Sequence, residues 1–196
     1  AEDGIRDDLV TGVQTCALPI YTFITSSDLK QCATNLDNKR LGKQRVEAKQ
    51  LIDCLEGTGS LSWAKHPCTK MWIGYIDALK VYTNTIIEEW IERGFKNTME
   101  IYSSVQNKHY VFPTLHYDTN GNVISYTLPT PSPDTVVFPW WFVWTPLHKS
   151  HQASLYRKND KYYSNVFHLD NIGEFLNNGY IWKVQDIQVA TNFNIS

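Results

Sequence analysis

Two long stretches in the first half of the chain carry apolar side chains at the spacing of an amphipathic helix. The first covers residues 39–56 and stops at a glycine. Its core-facing stripe consists of Leu41, Ala48, Ile52 and Leu55. The second begins at Pro67, a residue suited to a first helical turn, and extends to residue 93 before another glycine. With a shorter pattern over residues 28–36, these stretches predict a mainly α fold, a single-domain helical bundle.

The second half of the chain has a different character. Asn120-Gly121 lies between strand formers over residues 117–126, which predicts a small β-hairpin element. A short helix is expected over residues 98–106, and Ser150 is expected to cap another that ends near residue 158. The PTPSPD segment is expected to be a surface loop, because its prolines fit neither a helix interior nor a central strand. The VVFPWWFVWTP segment favours core packing over an exposed stacking wall.

The first 20 residues differ from the rest of the chain. Their sequence, AEDGIRDDLVTGVQTCALPI, is acidic at the start and lacks the apolar core of a signal peptide. The part VTGVQTCALPI resembles a translated sequencing adapter. We therefore expect residues 1–20 to be a non-native, disordered extension and residues 21–196 to form one domain.

Composition excludes several classes of protein. Hydrophobic residues make up 42% and charged residues 19%, which is typical of a globular chain. No apolar run approaches the roughly 18 residues that cross a bilayer, so no membrane partner is expected. The net charge is −2. Because the first 20 residues contribute −3 of it, the remainder is close to neutral, and binding of a polyanion would depend on local clusters.

Three cysteines follow residue 20, and all lie in helical apolar patterns. Cys32, Cys54 and Cys68 are odd in number and form no CxxC pair. They predict reduced core thiols, and hence a cytoplasmic or nucleoid/nuclear protein that is not secreted.

The densest charge cluster lies within the first long helix. Residues 39–49 contain five basic side chains and one acid, Glu47. At 100° per residue, Arg40 and Glu47 share one shoulder of the apolar stripe and Arg45 lies on the other. A carboxylate at the edge of a core, near several cations, is suited to catalysis. The alternative is that Lys43 and Glu47 form an ordinary i,i+4 surface pair.

A second basic segment covers residues 148–158 and is followed by tyrosines. Cations bind phosphates and aromatic rings stack on bases, so this mixture suits nucleic acid. His148 and His151 could share a metal, but no third ligand follows at zinc-site spacing, so neither a metal nor a cofactor is expected. The chain has no GxGxxG, P-loop or GxSxG motif, which disfavours dinucleotide, nucleoside triphosphate and serine-hydrolase chemistry.

Four segments in order resemble the pyrimidine-dimer DNA glycosylase (endonuclease V) family, in its bacterial and viral subfamily. They are LDNKRLGKQRVEAKQL (36–51), HPCTKMWIGYIDAL (66–79), EEWIERGF (88–95) and HKSHQASLYRKNDKYY (148–163). The resemblance covers nearly all of residues 21–182, apart from an insertion around 113–135.

The resemblance implies base excision on ultraviolet-damaged DNA. In such enzymes an N-terminal amine attacks C1′ of the damaged nucleotide to give a Schiff base, β-elimination nicks the strand, and a base is extruded from the kinked duplex. A Glu next to an Arg supports the sugar intermediate. Arg45 matches the family arginine through the spacing from Gly42, whereas Glu47 comes one residue later than the usual adjacency.

The nucleophile implied by the resemblance is missing here. Tyr21-Thr22-Phe23 occupies the corresponding place, and a bulky Tyr after Met prevents Met removal, so Thr22 would not carry a free amine. Lys39 or Lys43 then supplies the amine, or the enzyme is a glycosylase that uses water.

The leading hypothesis is a DNA repair glycosylase, with or without abasic-site lyase activity, acting as a monomer on pyrimidine dimers or related lesions in double-stranded DNA. The alternatives are a non-catalytic nucleic-acid-binding module on the same scaffold and an enzyme that acts on another nucleotide or modified base. The expected catalytic residues are Glu47 and Arg45. The expected DNA-binding residues are Lys39, Arg40, Lys43, His148, Lys149, His151, Arg157 and Lys158.

Overall fold

The structure, a computed structural model, describes residues 22–177 and residue 181. The helices are α1 (Leu29–Thr34), α2 (Asn38–Leu55), α3 (Leu61–Ala64), α4 (Pro67–Met71), α5 (Ile76–Glu92), α6 (Thr145–Lys158), α7 (Asp160–Tyr163) and α8 (Leu169–Leu176). The strands are β1 (His109–Val111), β2 (Thr114–Tyr117), β3 (Val123–Thr127) and β4 (Thr135–Val137). Helices account for 53% of the described residues and strands for 10%, so the predicted mainly α class is confirmed. The expectation of a disordered extension over residues 1–20 lies outside the described residues.

The core forms where α2 packs against α5, and α1 also packs against α5. Leu41, Ala48 and Ile52 of the predicted stripe are fully buried, and Leu55 is partly buried. Leu51 joins them in the core. The amphipathic pattern therefore identified the buried face of α2 correctly.

The predicted helix over residues 67–93 is two helices. The chain leaves α4 at Met71 and re-enters a helix only at Ile76, and Gly74 between them has φ +82°. A positive φ is open to glycine and incompatible with a continuous α-helix. The break turns the Trp72 side chain into the core, where its ring meets that of Trp141 edge-on, with centroids 4.8 Å apart.

The predicted helix over residues 98–106 is wrong apart from one 3₁₀ turn, Ser103–Val105. Side chains take the backbone hydrogen bonds that a helix would need. The Asn97 amide binds both the N–H and the carbonyl of Met99, and the N–H of Tyr102 donates to Asn84 at 2.9 Å. Asparagine competes with helical hydrogen bonding in this way.

The predicted hairpin is confirmed as the antiparallel pair β2–β3. Its turn runs from Asp118 to Asn122, with Gly121 at φ +84°. A second pair, the parallel strands β1 and β4, had no clear signal in the sequence because each has three residues. The tryptophan-rich segment then enters the core as predicted, with Trp140, Trp141 and Trp144 buried.

The helix that Ser150 was expected to cap begins earlier in the chain, at Thr145, with a proline in its first turn. Ser150 therefore lies inside α6, and its buried hydroxyl accepts a hydrogen bond from the N–H of Ile181 at 2.9 Å. Of the predicted core thiols, Cys32 and Cys68 are buried and Cys54 is partly exposed.

Candidate active site

The N-terminus of α2 is joined to the junction between α6 and α7. Asp37 caps α2 by accepting a hydrogen bond from the N–H of Arg40 at 2.8 Å, and its carboxylate also pairs with the Arg40 guanidinium. Burial by itself would raise the pKa of the Asp37 carboxyl. The hydrogen bonds and the charge of Arg40 outweigh it and hold this pKa below its ordinary value. Arg40 also donates to the carbonyl of Lys158 at 3.0 Å and lies over the Tyr163 ring. Arg40 thus links two elements that are distant in sequence.

Glu47 lies two turns further along α2 on the same side. Its side chain is buried, and one carboxylate oxygen is 3.1 Å from the ammonium of Lys43, which is half exposed. The ion pair expected by the alternative interpretation therefore exists, but it has one buried partner and is unlike a solvated surface pair. A carboxylate in this position is oriented and partly removed from water.

Two neighbours of Glu47 come from other helices. Burial chiefly, and the charge of Glu47 in addition, raise the pKa of Cys68 on α4 to about 12. Burial, with the same charge contributing, also raises the pKa of Tyr82 on α5. Both side chains are therefore neutral at physiological pH.

The first described residues run in extended form past the same face of α2. The Thr22 hydroxyl accepts a hydrogen bond from the Trp72 indole at 3.0 Å, and the N–H of Phe23 donates to the Gln44 side chain at 3.1 Å. The Tyr82 hydroxyl donates to the Phe23 carbonyl at 3.2 Å. Thr22 is itself buried. The start of the domain is consequently held beside the elements that surround Glu47, whereas Tyr21 lies outside the described residues.

Sequence analysis missed this group of contacts, although Gln44 carried a signal. It lies three residues after Leu41 and four before Ala48, so it occupies a core position of α2, and it is 1% exposed. A buried amide requires a hydrogen-bond partner. The partner is the backbone N–H of Phe23, 21 residues earlier in the sequence, which no local pattern could identify.

The structure does not bring Arg45 together with Glu47. The Arg45 guanidinium lies 4.1 Å from the centre of the Trp90 ring and donates to Asn97 at 2.9 Å. Its Nε is buried with no hydrogen-bond partner among the described residues, and burial lowers its pKa. Arg45 and Glu47 are two positions apart, which is 200° around a helix, so the two side chains leave α2 on different sides.

The histidines of α6 are buried. His151 accepts a hydrogen bond from the N–H of Ile24 at 2.9 Å, and His148 bonds to the carbonyl of Phe142 at 2.8 Å. His151 is 1% exposed and His148 is 8% exposed, so neither side chain is accessible to a phosphate in this structure. Lys149 is half-buried and lies nine residues before Lys158, on the opposite face of α6.

Arg157 and Lys158 end α6 near Glu47. The Arg157 guanidinium binds the carbonyls of Phe175 and Leu176, both at 2.9 Å, and so caps α8. Burial first, and then the charges of Arg40, Lys43 and Arg157, lower the pKa of Lys158, while the charge of Glu47 opposes them. We call these four basic residues (Arg40, Lys43, Arg157 and Lys158) the cationic cluster. Exposed Lys39 lies at the start of α2, next to Arg40.

This arrangement combines phosphate-binding cations with an oriented carboxylate. Such a set can bind an anionic backbone and stabilise positive charge that develops nearby. Within the described residues, no group of three histidine, cysteine or acidic side chains could hold a metal ion. In the same part of the chain, no helix is both long and apolar enough to span a bilayer.

Comparison with known proteins gives a family match for the part of the chain that carries α1 to α5. A family model described as pyrimidine dimer DNA glycosylase matches residues 20–103. The resemblance expected from the sequence motifs is thereby confirmed over these residues. The matched family is one of DNA repair glycosylases, and proteins of that kind bind DNA. No curated protein and no solved structure matches the chain.

Proposed function

We propose that this protein is a DNA repair glycosylase that removes a damaged base, a pyrimidine dimer or a related lesion, from duplex DNA. The observation that carries the proposal is the buried Glu47 carboxylate beneath Lys43, inside the segment that matches the glycosylase family. Lys39 and the cationic cluster bind the phosphates on both sides of the lesion. The domain over residues 21–196 acts as a monomer in the cytoplasm or nucleoid and uses no cofactor.

Glu47 has the central chemical role in this proposal. Departure of a base leaves positive charge on the sugar, either as an oxocarbenium-like species or as a protonated imine. A fixed carboxylate in a partly dry site stabilises that charge without having to reorganise. Arg45 acts from further away, because its stack on Trp90 fixes α2 and hence the position of Glu47.

The direct test is release of the damaged base from a duplex oligonucleotide with a single pyrimidine dimer. Glu47→Gln should lower turnover at least about a hundredfold, the scale expected for one positioned electrostatic or acid–base group. The fold and the DNA affinity should be unchanged, because glutamine has nearly the same volume as glutamate and the phosphates contact other residues. Asp53→Asn is the matched control, since Asp53 is an acid of the same helix that pairs with Lys49 away from the site.

Two results would contradict the proposal. If Glu47→Gln turns over as fast as the parent, Glu47 has no catalytic role and only forms an ion pair with Lys43. DNA binding without base release by the parent protein would favour the non-catalytic binding module.

A further inference from the structure

The end of α5 carries a guanidinium that is turned toward the start of α2. It belongs to Arg93, which directly follows the last residue of α5 and lies in the EEWIERGF segment (88–95). Its Nε donates to the Glu89 carboxylate at 2.7 Å, and the same carboxylate pairs with Lys30 of α1 at 2.9 Å. The Glu89 side chain is buried, so this bond fixes the direction in which the guanidinium points.

The other donors of the guanidinium bind the chain between α1 and α2. Nη1 donates to the carbonyl of Leu36 at 2.7 Å and to the side chain of Asn38 at 3.0 Å. Nη2 donates to the carbonyls of Thr34 at 3.1 Å and Ala33 at 3.4 Å, at the end of α1. An arginine has five N–H donors in a rigid fork, and here each has an acceptor within the protein. The Arg93 side chain is 20% exposed, so its hydrogen-bonding capacity serves the fold and not a phosphate.

The acceptors of this guanidinium surround Asp37. Leu36 precedes Asp37 directly and Asn38 follows it, so the guanidinium holds the turn on both sides of the residue that caps α2 and binds Arg40. From another direction, the N–H of Asp37 donates to the Tyr163 hydroxyl at 3.2 Å. The turn is therefore held between the end of α5 and α7. Its geometry is set by contacts that are distant in sequence, and the first turn of α2 follows from it.

We propose that Arg93 is a positioning residue for DNA binding. It acts through the turn at Asp37, which places the first turn of α2, with Lys39 and Arg40, beside the end of α6. The inference rests on the proposed function and adds a residue on which DNA affinity depends although it does not bind DNA itself. Glu47 lies two turns further along α2, where the helix packs against α5, so its position does not depend on this turn. DNA affinity should therefore depend on Arg93, whereas the chemical step should not.

The test is Arg93→Lys in the full chain. Lysine keeps the positive charge, but a single ammonium cannot reach Glu89 and the acceptors around Asp37 together. Duplex binding should weaken at least about fivefold, the lower end of the range for coupling between sites, while kcat for release of a dimer base stays unchanged at saturating DNA. Fluorescence anisotropy far below the unfolding midpoint measures the affinity. A purely structural role would lower the midpoint in urea and leave the affinity of the folded protein as it is.

A double-mutant cycle identifies the element through which Arg93 acts. If it acts through the first turn of α2, Lys39→Gln should cost less affinity in the Arg93→Lys protein than in the parent. Lys80→Arg is the charge-matched control on α5, because Lys80 pairs with Glu56, which lies at the opposite end of α2. It should bind the duplex like the parent, and its effect should add to that of Lys39→Gln.

A milder variant tests the same turn without changing the guanidinium. Asn38→Ala removes one of its acceptors at an exposed position and introduces a better helix former, so the variant should fold. In the DNA-free protein, hydrogen exchange should become faster at the amides of Arg40 and Leu41 and stay unchanged in α5. Unchanged exchange at those two amides would show that the guanidinium does not hold the turn.

The outcomes separate this inference from the proposed function. Undiminished affinity of Arg93→Lys, strictly additive effects in the cycle, or a loss of kcat at unchanged affinity would overturn the role of Arg93. Release of a dimer base by the parent together with any of these results would leave the glycosylase function intact. Weaker, coupled binding by Arg93→Lys, in a parent protein that releases no dimer base, would support the positioning role and remove the glycosylase function.

Discussion

His151 is a core residue whose two ring nitrogens have separate tasks. Its Nδ1 accepts from the N–H of Ile24, so the proton of the neutral ring is on Nε2, which donates to the carbonyl of Ile181 at 3.3 Å. Burial chiefly, with the charge of His148 adding to it and the bond to Ile181 opposing it, lowers the pKa of His151 to about 3. Protonation would remove the acceptor that Ile24 needs.

This pKa predicts that the protein loses stability in mild acid. The folded-state pKa lies below the unfolded value of about 6.5, so the contribution is complete above that pH and is lost as the pH falls toward about 3. At pH 5 the free energy of unfolding should be lower than at pH 7 by about 2 kcal/mol from His151. Urea unfolding at the two pH values measures the difference, which His148 should increase, because burial lowers its pKa too.

His151→Gln should be less stable at pH 7 and should show a smaller loss between pH 7 and pH 5. His116→Gln, at an exposed position of the hairpin, should show the same pH dependence as the parent. Equal stability of the parent protein at both pH values would contradict the burial of a neutral His151.

At the scale of single residues, the sequence predicted where charged side chains lie on α2 better than it predicted which groups surround a side chain. It placed Arg40 and Glu47 on one side of α2, which the structure confirms, because helical periodicity is local. It could not foresee that His148 and His151 are buried or that Arg45 stacks on Trp90. Those contacts depend on which helices pack together, and residues distant in sequence form them, so local periodicity does not predict them.

At the scale of elements, the contact between α2 and α5 depends on Gly42. A Cβ at this position would lie 2.8 Å from the Trp90 ring. The ring has little freedom to move, since its indole N–H donates to the carbonyl of Lys96 at 3.0 Å and its face stacks on Phe95. The spacing from Gly42 to Arg45, to which the family resemblance drew attention in the sequence, has a packing role in the structure. The glycine leaves room for the Trp90 ring, and the arginine stacks on it.

Gly42→Ala should therefore lower the free energy of unfolding although alanine is the better helix former. The helix-propensity gain is about 1 kcal/mol, while overpacking costs about 1–3 kcal/mol with a midpoint of about 2 kcal/mol, so we expect a net loss of about 1 kcal/mol. Gly173→Ala in α8 is the matched control, because nothing lies within 4 Å of its Cβ. It should gain about 0.5–1 kcal/mol. If the Gly42→Ala protein is as stable as the parent in urea, the Trp90 ring can move to make room for the added methyl group.

The elements that sequence analysis predicted well are those with long periodic patterns. The buried face of α2 and the hairpin turn at Asn120-Gly121 followed from local rules of spacing and turn chemistry. The break at Gly74 and the loss of the helix over residues 98–106 did not, because apolar spacing continues across both. There the outcome was decided by a backbone angle and by asparagine side chains that replace helical hydrogen bonds.

At the scale of the whole molecule, DNA binding has to come from the placement of charge, because the net charge is −2. Several cations of the predicted interface also have structural partners: Arg40 pairs with Asp37, Arg157 caps α8, and Arg45 lies on Trp90. Replacing any of these would disturb the fold as well as the surface. Exposed Lys39 and half-exposed Lys43, both on α2, are the better probes of phosphate contact, although Lys43 also pairs with Glu47.

Each of Lys39→Gln and Lys43→Gln should weaken duplex binding and flatten its salt dependence. Loss of one phosphate contact lowers the slope of log affinity against log salt concentration by about 0.9, and the effect should not depend on DNA sequence. Lys49→Gln is the control on the same helix, because both oxygens of Asp53 lie within 2.8 Å of the Lys49 ammonium and compensate its charge. Fluorescence anisotropy with a labelled duplex at several salt concentrations measures the slopes. Unchanged slopes for Lys39→Gln and Lys43→Gln would mean that this end of α2 is a solvated face, and that the DNA lies against another surface of the protein.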